Sequence, residues 1–279
     1  MNPTLPDVPE LLRRYGLRPD KSLGQNFLID QAALQRVVDT AGIHPDDQVL
    51  EIGPGLGSLT VLLASQARRV VAVELDTNLI PALRSVVSGF SHVHIVQGDI
   101  LALNPVDLVD QAGYLVVANI PYYITSALIR HLLEASLPPR RLVLTVQREV
   151  AQRICAEPGD MSLLALSVQV YGQPQIAAHI PAGAFYPAPK VDSAVVCVDI
   201  LPSPLIAEPE LALFFRLAKA GFSQKRKTLR NALSGGMHWS TEQAHSLLNA
   251  AGIDPQRRAE TLSIPEWRKL IQQMPGSAP

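Results

Sequence analysis

The chain has 279 residues, enough for a main domain with an appendage. Hydrophobic residues make up 47% and charged residues 18%, a balance that excludes wholesale disorder. The formal net charge is -1, so any contact with nucleic acid must rest on local basic patches rather than on an overall excess.

Residues 1–20 read as a loose, Pro-bearing arm, and Met1 to Arg14 holds no apolar run of the kind that makes a signal peptide. Residues 31–42 read as a helix with Leu34, Val37, Val38 and Ala41 on its apolar face, ended near Gly42. Strand-like runs follow at 48–52, 70–74, 93–97, 114–119 and 141–147, and helix-like runs at 58–67, 78–87, 125–135 and 148–156. This alternation predicts an α/β fold with a doubly wound, mostly parallel sheet. Beyond Gly159 the order changes: 162–171 reads as helix, and 174–181 and 193–200 as strands pairing in an antiparallel edge. Pro202, Pro204 and Pro209 mark a boundary. Residues 210–274 read as helices only, with breaks at Gly221, Gly235-Gly236, Gly252 to Pro255 and Ser263 to Pro265. The expected organisation is an arm over 1–20, a main domain over 21–203 and a helical domain over 204–279.

No stretch reaches ~18 apolar residues, so no membrane contact is expected. Cys155 and Cys197 form no CxxC and no His/Cys cluster, which speaks against a zinc site or a disulfide framework, and no metal is expected. A cytoplasmic enzyme is the expected class.

Asn119-Ile120-Pro121-Tyr122 closes the apolar run Tyr114 to Ala118, which reads as a buried parallel strand. In open α/β sheets ligands bind at that edge. An amide beside a flat ring suits a substrate that is itself a flat ring with an exocyclic amine. The Asn119 oxygen and Ile120 carbonyl can accept the amine hydrogens, and Tyr122 can stack on the base. Runs of this kind mark enzymes that methylate amino nitrogens of nucleobases. A plain strand-end turn with a capping Asn is the competing reading.

Glu51-Ile52-Gly53-Pro54-Gly55-Leu56-Gly57 follows the first strand, with GxGxG spacing rather than the GxGxxG of dinucleotide enzymes. Glu74 ends the second strand, where a carboxylate can accept both ribose hydroxyls, and Asp99 ends the third, where one can accept from an adenine amine. Gly loop, Glu and Asp on consecutive strand ends point to S-adenosylmethionine. A nicotinamide cofactor would leave Asp99 and Asn119 without a role. Asp76, past the second strand, reads as a cap for the following helix.

With these residues the chain resembles the KsgA-type (RsmA) family, the dimethyladenosine transferases of small-subunit ribosomal RNA. The resemblance runs from about Leu17 onward. It is carried by Lys21-Ser22-Leu23-Gly24-Gln25-Asn26-Phe27-Leu28, the Glu51 to Gly55 loop, Asn119 to Tyr122, Phe185 to Ser193, and Phe222 to Asn231. It implies a class I methyltransferase (Rossmann-like) domain with a small all-helical C-terminal domain. It implies dimethylation of two adjacent adenosines in a hairpin loop near the 3′ end of small-subunit (16S) RNA, in a small ribosomal subunit precursor, by a monomer. Asn26, Leu28, Gly53, Gly55, Glu74, Asp99 and Asn119 would line the donor site, and Asn119, Tyr122 and Phe185 would hold the adenine. Two departures touch local substrate contacts. Tyr123 replaces an Asn that often follows the motif, and Gly159-Asp160-Met161-Ser162 replaces a Gly-Arg-Leu-Ser stretch.

Phe185 reads either as the second wall for a flipped base or as a core anchor. Lys190 and Asp192 read as a surface pair or as a loop and phosphate contact. Lys225, Arg226, Lys227 and Arg230 have helical spacing and read as an RNA-backbone contact, with Arg140-Arg141 as a further element of that surface. Cys155 reads as a small buried hydrophobe. The alternatives in function are a large-subunit RNA (macrolide-resistance type) or DNA adenine methyltransferase, and a mainly non-catalytic RNA-binding assembly factor.

Overall fold

β-Branched and aliphatic runs build the centre of the protein. The computed structural model describes residues 4–120, 124–224 and 226–274. Strands β2 (Gln48–Ile52), β3 (Arg69–Glu74), β4 (Val93–Gln97), β5 (Leu115–Asn119) and β6 (Arg141–Gln147) pair in parallel. Every residue of β2 is buried, as a strand covered on both faces must be. Strand β9 (Ser193–Ile200) joins antiparallel to β6, and β7 (Gly172–Ile180) lies outside it, giving the order β4-β3-β2-β5-β6-β9-β7. The strands expected at 174–181 and 193–200 are therefore neighbours at one edge of the sheet, with β9 between β6 and β7.

Helix α2 (Gln31–Ala41) starts where the Asp30 carboxylate accepts from the Ala33 N–H at 2.7 Å, and it ends at Gly42 in the left-handed region. Its Leu34, Val37, Val38 and Ala41 pack with Val49, Leu115, Val117 and Val143 of the sheet. Helices α3 (Ser58–Ala64), α4 (Ile80–Val86), α5 (Thr125–Leu133) and α6 (Arg148–Ile154) follow β2, β3, β5 and β6.

Two features depart from the sequence reading. The arm contains a capped helix, α1 (Val8–Arg14), whose Val8 and Leu12 are buried with Phe27, Leu56 and Leu79. A two-residue ribbon pairs β1 (Phe27–Leu28) antiparallel with β8 (Phe185–Tyr186).

The chain divides into two compact units, 1–151 with 174–200, and 152–173 with 201–279. The segment 152–173, including α7 (Leu163–Gln169), thus clusters with the C-terminal helices rather than with the sheet. Those helices are α8 (Glu208–Phe222), α9 (Leu229–Met237), α10 (Thr241–Ala250) and α11 (Ile264–Gln272). Gly221 and Gly235-Gly236 lie inside α8 and α9 instead of breaking them. A Cβ on Gly221 would sit 2.8 Å from Trp267, and one on Gly236 would sit 2.6 Å from the Ala220 Cβ. Trp267 is fully buried and stacks on Phe222 at 6.3 Å between ring centroids.

Candidate active site

The carboxyl ends of four adjacent strands form one edge. In spatial order they bring Asp99 after β4, Glu74 ending β3, the Gly53 loop after β2 and Asn119 ending β5. Asn26, Leu28, Gly53, Gly55, Glu74, Asp99 and Asn119 line one cavity there, together with Phe27, Glu51 and Leu75.

Gly53, Gly55 and Gly57 have φ of 70°, 58° and 84°, in the region that L side chains rarely adopt. Any side chain at Gly55 would collide with the Phe27 ring, 2.9 Å from the Cβ position. Glu74 shapes this loop. Its two carboxylate oxygens accept from the Gly55 N–H at 3.0 Å and from the Asp76 N–H at 2.8 Å. Burial pushes its carboxyl above the usual range, against the pull of those backbone donors. Asp76 does not cap α4. Its carboxylate accepts from the Asn78 N–H at 3.0 Å and from the Gln25 side chain at 2.7 Å, tying the 21–26 segment to the loop after β3. Asp99 is exposed at the rim, with one oxygen accepting from the Leu101 N–H at 2.9 Å.

Asn119 is oriented by the chain itself. Its side-chain nitrogen donates to the Asn26 carbonyl at 3.0 Å, which fixes the amide and leaves its oxygen as the accepting end. The Asn26 side chain in turn donates to the Gly24 carbonyl at 3.1 Å, and the Ile120 N–H donates to the Thr145 carbonyl at 3.2 Å. Tyr122 lies outside the described residues.

One residue of the motif that sequence reading left without a role is the most anomalous group here. Glu51 is 1% exposed, and neither carboxyl oxygen has a hydrogen-bond partner among the described residues. Burial drives this carboxyl up to about 8; the nearby Thr60 hydroxyl opposes the shift without forming a hydrogen bond, and the Glu74 carboxylate adds to it. Its place in the Gly motif was the available signal, but glutamate in a strand gives no hint of isolation.

Phe185 does not present a face to a base. It is 3% exposed and packs with Leu28 and Leu34 in the core, as an anchor for the ribbon, while Tyr186 beside it is 41% exposed. Period-two alternation puts only one of the two outside. Asp192 accepts from the Ala182 N–H at 3.0 Å and faces Arg148 at 4.0 Å, so it clamps its own loop. Arg140 and Arg141 lie away from the cavity edge, each in an ion pair. Arg141 is the ladder partner of Leu115 at the opposite end of the strands from Asn119. Arg140 binds Asp47 through two bonds of 2.6 and 2.8 Å, and Arg141 binds Asp199 at 2.6 Å. In the helical unit, Arg226 and Lys227 are exposed on the turn before α9, and half-buried Arg230 lies in its first turn. The run is thus a turn rather than a helix face, and Lys225 lies outside the described residues. Cys155 is half-buried, and burial pushes its thiol up to about 11. Among the described residues no group of His, Cys, Asp or Glu could hold a metal ion, and no helix is long and apolar enough to cross a membrane.

Comparison with known proteins fits this edge. The family model described as ribosomal RNA adenine dimethylase matches residues 16–274. The ribosomal RNA small subunit methyltransferase A of Dehalococcoides mccartyi is 48% identical over 269 residues, covering 96% of this chain and 92% of its own length. The protein of that name from Alkaliphilus metalliredigens is 41% identical, covering 95% of this chain and 94% of its own. Among solved structures, a dimethyladenosine transferase from Plasmodium falciparum superposes with a TM-score of 0.76 at 25% identity, over 88% of this chain and 95% of that one. The 23S rRNA methyltransferase ErmE gives 0.72 at 27% identity, over 89% of this chain and 99% of that one. The chain belongs to the ribosomal RNA adenine dimethylase family and is an enzyme that transfers methyl groups to adenine in ribosomal RNA.

Proposed function

We propose that this enzyme makes N6,N6-dimethyladenosine at two adjacent adenosines near the 3′ end of small-subunit ribosomal RNA, with S-adenosylmethionine as donor. The observation that carries this reading is the Asn119 amide, held by the Asn26 carbonyl at 3.0 Å beside a Gly loop and two strand-end acids. The small-subunit assignment rests on relatives of 48% and 41% identity that bear that name, against 27% for the large-subunit enzyme.

The cavity suits the donor chemically. Its three acids, Glu51, Glu74 and Asp99, are accompanied by no Lys, Arg or His among the described lining residues, which favours a cationic ligand. The donor supplies an electrophilic methyl group on a sulfonium. Asp99 offers a free oxygen for an adenine amine, and Glu74 offers an acceptor for ribose hydroxyls. Asn26, Leu28, Gly53 and Gly55 complete the wall.

Adenine N6 is a poor nucleophile because its lone pair is delocalised into the ring. The Asn119 oxygen and the Ile120 carbonyl accept its hydrogens and favour a pyramidal nitrogen. Tyr122 stacks on the ring, and Phe185 supports the ribbon from the core. Orientation supplies most of the acceleration. The amine proton becomes acidic only once nitrogen carries positive charge, so no dedicated base is assigned. Arg226, Lys227 and Arg230, with Lys225, contact RNA phosphates. The protein works as a monomer on a subunit precursor in the cytoplasm.

The test is to offer purified small- and large-subunit RNA, free and as particles, with methyl-labelled donor. Label in small-subunit RNA is expected. Label confined to large-subunit RNA would move the enzyme to the macrolide-resistance type. RNA binding without any label would leave an assembly factor.

A further inference from the structure

The ribbon of β1 and β8 borders the cavity and carries more than its packing requires. Phe27 and Tyr186 are a cross-strand pair, so their side chains share one face, with Cβ atoms about 4.5–5.5 Å apart. Phe27 is buried against Leu56 and Leu79 and lines the cavity. Tyr186 is 41% exposed and is not among the described lining residues. Its side chain makes no hydrogen bond or ring contact among the described residues. A lone exposed aromatic is ordinary. Here it has company: of the seven large apolar residues exposed in the described chain, Ile29, Tyr186 and Val191 lie on this ribbon or on the stretches that flank it, and Leu75 lines the cavity.

The ribbon is held in place from both sides. The Ile29 and Asp30 N–H groups donate to the Ala184 carbonyl at 2.9 and 3.2 Å. The loop from Pro187 to Asp192 is closed where the Asp192 carboxylate accepts from the Ala182 N–H at 3.0 Å and its carbonyl accepts from the Arg148 N–H at 3.0 Å. A ring on such a base needs little ordering when a ligand arrives. The charges around it are uneven. Asp192 is committed to the Ala182 N–H and Asp30 to the Ala33 N–H. Lys190 is exposed, with no ion pair among the described residues, and exposed Arg148 meets Asp192 only at 4.0 Å. An exposed ring accompanied by cations is the surface that single-stranded nucleic acid takes, base on the ring and phosphate near the charges.

We infer that Tyr186 is a stacking platform for the base next to the adenine being methylated, with Lys190 and Arg148 serving the backbone of that nucleotide. The inference rests on the reaction proposed above. An enzyme that works on a base takes it out of its stack, and the neighbouring base loses a partner at that moment. The target goes to the cavity edge at Asn119. Tyr186 lies outside the cavity, one residue pair from the wall at Phe27, so a base on it stays out while the next one enters. Stacking tolerates any base, because every base has a π-face, so this contact holds the strand in register rather than reading its sequence. Tyr186 is thus a positioning residue and touches no reacting atom.

Methylation kinetics and RNA binding on the purified full chain test it, with small-subunit ribosomal RNA, free and in its particle, as the probe. Tyr186→Ala should raise KM and Kd for RNA by about tenfold, with kcat at saturating RNA within roughly twofold of wild type. Tyr186→Phe keeps the ring and should restore the affinity, whereas Tyr186→Leu should bind as weakly as Tyr186→Ala. An exposed side chain contributes little to stability, so all three should fold and bind the donor like the wild type. A synthetic RNA hairpin with two adjacent adenosines in its loop supplies a second arm. An abasic nucleotide on one side of the target adenosine should cost the wild type the same factor and cost Tyr186→Ala nothing more. Unchanged RNA affinity in Tyr186→Ala would overturn the inference, as would full affinity in Tyr186→Leu or abasic losses that simply add on both sides of the target. A fall in kcat with KM unchanged would move Tyr186 to the target base and overturn it too. Wild type that binds RNA but labels none would remove the proposed reaction, while the binding arms still judge the platform. Should the hairpin not bind, the split between KM and kcat decides.

Discussion

At the scale of single residues, three side chains at one sheet edge divide the work. Glu74 holds the loop, its oxygens accepting from the Gly55 and Asp76 N–H groups, and is the proposed acceptor for the donor ribose. Glu74→Gln keeps the size but loses the charge, and it should weaken donor binding by roughly 1–3 kcal/mol, measured by titration calorimetry. Unchanged affinity would take Glu74 out of the site. Asn119→Ala should lower the single-turnover methylation rate far more than RNA affinity, because its amide acts on the reacting amine. A full rate with weakened RNA binding would reverse that assignment. Glu51 makes a separate prediction for the free protein. Its carboxyl is raised in the folded state, from 4.5 to about 8. The stability it contributes is therefore complete below pH 4.5 and lost as pH rises through about 8. Relative to Glu51→Gln, the wild-type unfolding free energy should fall between pH 5 and 8, by at most about 1.4 kcal/mol per pH unit, seen as a falling melting temperature. Parallel curves would mean Glu51 finds a partner in the empty protein. Glu74 and Asn119 were legible as candidates from their places at strand ends. The isolation of Glu51 is a property of packing, invisible until α3 is laid over β2.

At the scale of elements, the parallel strands and most helices were legible because burial on both faces leaves long apolar runs, as in Tyr114 to Ala118. Short elements were not. The β1–β8 ribbon has two residues a side, too few for any period, so the sequence left Phe185 open between base wall and core anchor, and its burial favours the anchor. Helix α1 was hidden by its prolines, although Asp7 caps it and Val8 and Leu12 anchor it. The glycines of α8 and α9 misled in the opposite direction. They read as breaks, but at Gly221 and Gly236 the missing side chain is what lets helices approach. Gly236→Ala gains helix propensity of about 1 kcal/mol. It also drives a methyl group to within 2.6 Å of the Ala220 Cβ and 2.7 Å of its Cα. Overpacking against backbone costs about 1–3 kcal/mol, so the net effect should be destabilising. A chemical denaturation midpoint equal to or above wild type would show that α9 can shift.

At the scale of the whole molecule, the prolines from Pro202 to Pro209 suggest one boundary, while the chain clusters into two units cut near residues 151, 173 and 200. The chain also leaves the sheet unit at residue 152 and returns at 174, an excursion that alternating patterns cannot reveal. The separation of units still yields a clear expectation. Replacing Arg226, Lys227 and Arg230 by Gln should weaken RNA binding and flatten its salt dependence by about 0.7–0.9 in slope per lost phosphate contact. Donor affinity should not change, because the lining residues lie in the sheet unit. An identical salt slope would place the RNA surface elsewhere, with Arg140 and Arg141 the next positions to replace. The reaction is decided at one atom, adenine N6. Ribosomal RNA incubated with the purified protein and S-adenosylmethionine, digested to nucleosides and resolved by mass spectrometry, reads that atom directly. N6,N6-dimethyladenosine is expected with the wild type, and its near absence with Asn119→Ala. Methyl groups on another base or on ribose, or dimethyladenosine formed at full rate without Asn119, would contradict it.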